Sequence, residues 1–177
     1  IFAHKVLADQ PIGLFAFQRV PYISRVVEYG KKASLLGYKD KLLIATEHIS
    51  NPQEFCNDIS MLFCTPTILL QSFYEVTLSN SNPILHTGRL YSMWKDWNGE
   101  HYKNNSLFYT SWTDEASDLL IKMDEEFFCL LDKLGVSTEH LPTLLQHYEV
   151  HDAKSLTQKI KRLPAFSNIL SPMKQPP

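Results

Sequence analysis

The residues best placed to do chemistry lie in Asn80-Ser81-Asn82-Pro83-Ile84-Leu85-His86-Thr87-Gly88-Arg89-Leu90-Tyr91-Ser92-Met93-Trp94, where polar groups, a helix start and a histidine fall together. Asn82 reads as an N-cap and Pro83 as the first helical residue, because proline has no N–H to waste and its fixed φ suits the helix. His86 then stands about one turn in, on a face shared with Leu90, Met93 and Trp97 and flanked by Asn82 and Arg89. A neutral imidazole can take up a proton or give a hydrogen bond, so His86 is the candidate acid/base. Asn82 and Arg89 would supply a carboxamide and a guanidinium, groups suited to fixing a carboxylate substrate. A lone histidine on an apolar face is nevertheless more often satisfied in a helix interface, and by residue type alone that reading stays ahead. Arg19 and Arg25 flank Pro21-Tyr22 and follow a strand-like run, the place where ligands of open α/β sheets bind, although surface pairing is the commoner use of such arginines.

Other chemistries are less well supported. His147 and His151 are spaced i, i+4 with His140 nearby, but no acid occupies the catalytic place of an H-E-x-x-H motif and a helix break near Val150 would part the rings, so no metal is expected. Cys56, Cys64 and Cys129 fall on apolar helix faces or ends, where a thiol is packing rather than nucleophile. There is no Gly-x-Ser-x-Gly elbow, and neither Gly-x-x-x-x-Gly-Lys nor Gly-x-Gly-x-x-Gly is present to cradle a phosphate.

The elements that must position these groups come from an ordinary globular composition, 177 residues with 44% hydrophobic, enough for one domain or parts of two. A formal net charge of -2 with dispersed Lys and Arg gives no electrostatic reason for nucleic acid or an anionic membrane as partner. The longest apolar runs are too short to span a bilayer. Three cysteines without C-x-x-C spacing fit a reducing cytoplasm. Ile1 in place of Met and the proline-rich ending Ser171–Pro177 read as an interior piece of a longer protein.

Along the chain, residues 1–11 carry no strong pattern, and Ile12–Phe17 reads as a strand buried on both faces. The runs Arg25–Leu36 and Lys41–Thr46 read as a hairpin closed by Gly37-Tyr38-Lys39-Asp40, with helix as the alternative for Tyr22–Leu35. Ser50-Asn51-Pro52 starts a helix with the stripe Phe55, Ile59, Leu62 and Phe63, ended by Thr65-Pro66, and a strand Thr67–Leu70 follows. Long helices then replace short mixed elements, which places a domain boundary between Gln71 and Leu78. Residues 98–106 form a polar loop. Thr113 caps a helix with Asp114 and Glu115 in its first turn, Lys133 in its last and Gly135 as its stop, and shorter helices are expected over Glu139–Tyr148 and from Asp152 or Ala153 to Arg162. The fold class is thus α/β followed by all-α.

Asn82-Pro83-Ile84-Leu85-His86-Thr87-Gly88-Arg89-Leu90-Tyr91, then Trp112-Thr113-Asp114-Glu115-Ala116 and Met123-Asp124-Glu125-Glu126, resembles the start of the helical domain of the octopine/nopaline (opine) dehydrogenases. Arg19-Val20-Pro21-Tyr22-Ile23-Ser24-Arg25 with Glu28-Tyr29-Gly30 is similar to that family's Leu-Pro-aromatic segment and Glu-Tyr-Gly. The resemblance implies that residues 1–75 are the C-terminal part of a Rossmann-like dinucleotide-binding domain. Residues 76–177 would be a helical substrate domain, incomplete at its C-terminus.

It further implies an NAD- or NADP-dependent oxidoreductase that condenses an amino acid with a 2-oxo acid and reduces the imine by hydride transfer. His86 matches the family's catalytic histidine, and Arg19 stands at the family position near the substrate carboxylate, while Asn82 is a substrate-binding candidate from its place beside His86 alone. The aspartate that orients that histidine, in a later Arg-Tyr-x-x-Glu-Asp segment, and the Gly-rich phosphate turn have no match here. Expected partners are two small molecules, with no nucleic acid and no membrane, and a homodimer is admitted. The alternatives are a related dehydrogenase of a simple 2-oxo or 2-hydroxy acid, and a non-catalytic helical interaction domain.

Overall fold

The structure is a computed structural model that describes residues 12–100 and 103–172. The patternless stretch 1–11, two residues of the polar loop and Met173–Pro177 of the proline-rich ending lie outside the described residues. The chain divides into two compact units between Asn80 and Ser81.

The first unit runs β1 (Leu14–Phe17), β2 (Tyr22–Glu28), β3 (Lys32–Tyr38), β4 (Leu42–Glu47), α1 (Pro52–Phe63), β5 (Thr67–Leu69) and a single helical turn, α2 (Tyr74–Thr77). β4 is the middle strand of a sheet ordered β1-β4-β5, antiparallel to β1 and parallel to β5. Its side chains alternate between two cores, as a period of two requires. Leu42 and Ile44 pack with Cys56 and Ile59 of α1, while Ala45 packs with Leu70 and with Val76 of α2. Each fully buried aliphatic side chain there contributes roughly 1.5–3 kcal/mol. A parallel return from β4 to β5 needs a crossover, and α1 supplies it. Asn51 caps α1 by accepting from the Glu54 N–H, and Cys64 ends it with a left-handed φ of 49°.

Several expectations for this unit are corrected. Ile12–Phe17 is not a doubly buried strand: β1 lies at a sheet edge, with Phe15 exposed. The hairpin joins β2 to β3, and its turn is Tyr29-Gly30-Lys31 rather than Gly37–Asp40. Gly30 takes a φ of +71° there, a conformation that suits glycine, and Lys31 pairs with Glu28 across the turn. β4 pairs with β1, so the run from Lys41 belongs to the other sheet. Helix over Tyr22–Leu35 does not form. On α1 the buried stripe runs through Cys56 and Ile59, while Leu62 is 74% exposed. Gln18 donates to the Glu75 carbonyl at 3.1 Å and Arg19 to the Ser79 carbonyl at 2.7 Å, which ties residues 75–79 to the sheet unit.

The second unit is helical: α3 (Asn82–Trp94), α4 (Asp114–Lys133), α5 (Leu144–Tyr148), α6 (Ala153–Arg162) and a 3-10 turn, Pro164–Phe166. α4 carries the caps its sequence announces, with Thr113 accepting from the Ala116 N–H and Gly135 taking a φ of +64° beyond the end. Ala116, Leu120 and Leu131 lie on its buried face, and Ala116 and Leu120 share a core with Leu85, Trp112, Leu156 and Ile160. A satisfied polar chain crosses this core. The Trp112 indole N–H donates to Ser117 at 3.0 Å, the Ser117 and Thr157 hydroxyls meet at 2.7 Å, and Thr157 donates to the Ala153 carbonyl at 2.9 Å. Every member has a partner, which is the condition for burying such groups at little cost.

The start of α5 and the end of α3 differ from the sequence expectation. α5 begins at Leu144 rather than Glu139, because Pro142 disfavours helix at Leu141 and Thr143 with Gln146 forms a capping box just after it. It ends at Tyr148 with Glu149 left-handed at a φ of 55°, so His147 and His151 sit on opposite sides of a helix stop. α3 ends at Trp94, leaving Trp97 outside it. Asp152 caps α6 through the Ser155 N–H at 2.7 Å. Among the described residues, no helix is long and apolar enough to cross a membrane.

Candidate functional site

α3 starts one residue earlier than its sequence suggests. Ser81 is the N-cap, its carbonyl accepting from the Leu85 N–H at 2.9 Å, so Asn82 is the first helical residue and Pro83 the second. Asn82 therefore does not cap the helix. The buried side of α3 is Leu85, Gly88 and Arg89, and Gly88 lets α4 approach so closely that an added Cβ would meet the Met123 Sδ at 3.3 Å. His86 lies on the shoulder of that face. It is exposed, while Leu90 and Met93, one and two turns on, pack against the core.

The histidine is not alone. Its Nε2 stands 3.1 Å from the hydroxyl of Tyr109, and its ring meets Phe108 edge-on with centroids 5.7 Å apart. Tyr109 is buried and held on several sides: it stacks on Phe166 at 4.2 Å and 15°, lies parallel to Trp112 at 6.2 Å, and takes Phe108 edge-on at 4.9 Å. Burial raises the phenol pKa above its ordinary value, so this hydroxyl keeps its proton at physiological pH. The segment carrying it is anchored at its start, where Phe108 N–H donates to the Ile169 carbonyl at 2.7 Å and Leu107 bridges to Leu170.

Arg89 anchors the same segment from below. Its Nε donates to the Phe108 carbonyl at 2.8 Å and its Nη2 to the carbonyl and hydroxyl of Ser111 at 3.0 and 2.9 Å. The guanidinium carbon lies over the Phe108 and Trp112 rings at 5.9 and 5.3 Å. At 3% exposed it is part of the core, and burial lowers its pKa from the ordinary value. Arg89 is thus spent on neutral carbonyls and aromatic faces, which corrects the expectation that it fixes a substrate carboxylate.

The remaining sequence-derived candidates fall elsewhere. Asn82 is exposed on the first turn of α3, one helical turn before His86. Arg19 belongs to the first unit, where it lines a cleft of about 310 Å³ together with Lys39, Asp40, Lys41, Leu42 and Leu43. Arg25 lies on exposed β2, opposite Ser34. Cys56 is sealed beneath the sheet and burial raises its thiol pKa, which leaves it a packing residue. No group of three His, Cys, Asp or Glu side chains able to hold a metal occurs among the described residues.

Tyr109 escaped the sequence reading. The signal available was the cluster Phe108-Tyr109 and Trp112 just ahead of the Thr113 cap, an aromatic run too dense for the polar loop that precedes it.

The sequence profile described as the NAD/NADP octopine/nopaline dehydrogenase alpha-helical domain matches residues 69–176. The octopine dehydrogenase of Mizuhopecten yessoensis is 25% identical over 127 residues, 68% of this chain and 31% of the relative. The opine dehydrogenase of Haliotis discus hannai is 21% identical over 178 residues, 92% and 44% of the two chains. The tauropine dehydrogenase of Arabella iricolor is 23% identical, covering 88% and 43%. The chain thus spans less than half the length of these curated relatives. Among solved structures, octopine dehydrogenase in complex with NADH and agmatine superposes with a TM-score of 0.70 at 19% identity, covering 98% of this chain and 47% of the other. The same enzyme with NADH and L-arginine gives 0.67 at 19%, again covering 98% and 47%.

Proposed function

We propose that the protein carrying this chain, which belongs to the octopine/nopaline dehydrogenase family, is an NAD- or NADP-dependent oxidoreductase that condenses an amino acid with a 2-oxo acid and reduces the product to an opine. The observation that carries this reading is His86 on the first turns of α3, exposed on one side and hydrogen-bonded to Tyr109 on the other, within the residues that match the family's helical domain. An exposed imidazole with one nitrogen held is oriented for proton transfer, which is what condensation and imine reduction require of the protein. Asn82 is the proposed substrate contact beside it. Arg19, in a cleft with Lys39 and Lys41, is the proposed contact for a carboxylate in the first unit. Residues 1 to about 75, most of that unit, are read as the later part of a Rossmann-like nucleotide-binding domain, and the enzyme as a cytoplasmic one able to form homodimers.

The dinucleotide itself finds no cradle among the described residues. The crossover from β4 to α1 enters its helix at Ser50-Asn51-Pro52, where there is no glycine to let a phosphate approach and proline removes a backbone donor. No residue here is therefore assigned to the cofactor. The proposal of NAD or NADP rests on family membership, and when bound that group would supply the hydride.

The test is oxidation of NADH and of NADPH by the whole protein with pyruvate, with and without a panel of amino acids. Turnover that requires an amino acid supports the proposal. Turnover independent of any amine would replace it with a simple 2-oxo acid dehydrogenase, and no turnover with any pair would favour a non-catalytic helical domain.

A further inference from the structure

We infer that Tyr109 is a positioning residue that fixes the tautomer of His86, donating its hydroxyl proton to Nε2 so that the neutral ring carries its own proton on the exposed Nδ1. This deepens the reading of His86 as the acid/base and rests on it. The donor assignment follows from the chemistry of the pair. A phenolic O–H is a more acidic donor than an imidazole N–H, and the unprotonated imidazole nitrogen is a better acceptor than a phenol oxygen, whose lone pair is shared with its ring. In a bond of 3.1 Å between the two groups the stronger donor meets the stronger acceptor.

The hydroxyl is also fixed in place before the histidine is considered. Phe166 stacks on one face of Tyr109 at 4.2 Å, and Trp112 lies parallel to it at 6.2 Å. Arg89 holds the carbonyls of Phe108 and Ser111, on either side of Tyr109 in the chain. The phenol therefore cannot follow a rotating imidazole; the imidazole must come to it. Among the described residues no other hydrogen-bond partner of the His86 ring occurs. With Nε2 committed inward, Nδ1–H is the atom left to meet a substrate oxygen. Which ring nitrogen is protonated is set by the bond the other one makes.

The experiment is long-range 1H–15N correlation of the whole protein labelled on histidine nitrogen, without substrate, with the His86 signals assigned by their loss in His86→Gln. The expected spectrum of the neutral ring shows an acceptor-type Nε2 and a proton-bearing Nδ1. Tyr109→Phe, which keeps the ring stack and removes only the hydroxyl, should move His86 toward the Nε2–H tautomer that free histidine prefers. In the enzyme it should lower kcat at least about tenfold with KM within about twofold. A wild-type His86 carrying its proton on Nε2, or a Tyr109→Phe variant with unchanged tautomer and kcat, overturns the inference. The tautomer is read without turnover, so the expected spectrum in a protein with no opine-forming activity would support the role of Tyr109 while removing the functional reading.

Discussion

Replacing Arg89 with leucine removes a cation that the structure assigns to architecture, and its cost can be worked from what the guanidinium touches. The bond to the Phe108 carbonyl is buried, so that acceptor is left unsatisfied, at about 1–3 kcal/mol. The Ser111 carbonyl and hydroxyl are lost as well, but Ser111 is exposed and water takes the place of the donor, so this loss is smaller. Contact with the Phe108 and Trp112 faces adds about 0.5–2 kcal/mol. Relief from burying a charge and the apolar fit of leucine offset part of the total, which leaves a net loss of about 2–4 kcal/mol. For a chain of this size that lowers Tm by about 5–15 °C. The assay is thermal and urea unfolding of wild type, Arg89→Leu and Arg89→Lys, with KM measured on the same samples. Lysine can serve one carbonyl but not the fork, so it should fall between the other two. An Arg89→Leu protein that melts within about 1 °C of wild type and loses affinity for a carboxylate substrate would refute the assignment and return Arg89 to the substrate site.

Two further substitutions test the packing that carries the site. Asp124 is buried and accepts from the Leu144 N–H at 2.9 Å, and desolvation by burial raises its pKa above the ordinary 3.8. A carboxyl whose folded pKa is raised favours the folded state when protonated, and that contribution is lost as pH rises through the folded pKa. Asp124→Asn, which keeps an acceptor for Leu144, should be at least as stable as wild type at pH 7, and its advantage should shrink as pH falls toward 4 in paired urea titrations; an advantage that grows on acidification would contradict the sign. Gly88→Leu would drive a side chain into Met123 and Leu120, and should cost about 1–3 kcal/mol in the same unfolding assay; wild-type stability would mean that α3 and α4 do not pack as described.

Much of the helical unit is legible in sequence because its signals are local. Thr113, Gly135 and the acidic first turn of α4 set that helix within a few neighbours of each boundary. The Asn51-Pro52 start of α1 is equally local. The strands were harder, since which run pairs with which depends on distant partners. Lys41–Thr46 has the same β character wherever it pairs, and Gly30 outcompeted Gly37 for the turn because a positive φ and an ion pair coincide there. The site shows the same division. His86 could be found by its place on a helix start, whereas its bond to Tyr109 spans 23 residues and a loop with no periodicity. The role of Arg89 is hidden for a related reason: its spacing puts it beside His86, but only the tertiary structure shows that it faces inward to carbonyls from another segment.

The central claim is that His86 handles the substrate proton, and His86→Ala in the whole protein tests it most directly. Oxidation of NADH or NADPH that depends on both an amino acid and a 2-oxo acid should fall by at least about 100-fold, while dinucleotide affinity, read by fluorescence, stays within about twofold of wild type. Turnover close to the wild-type rate in that variant would contradict the account.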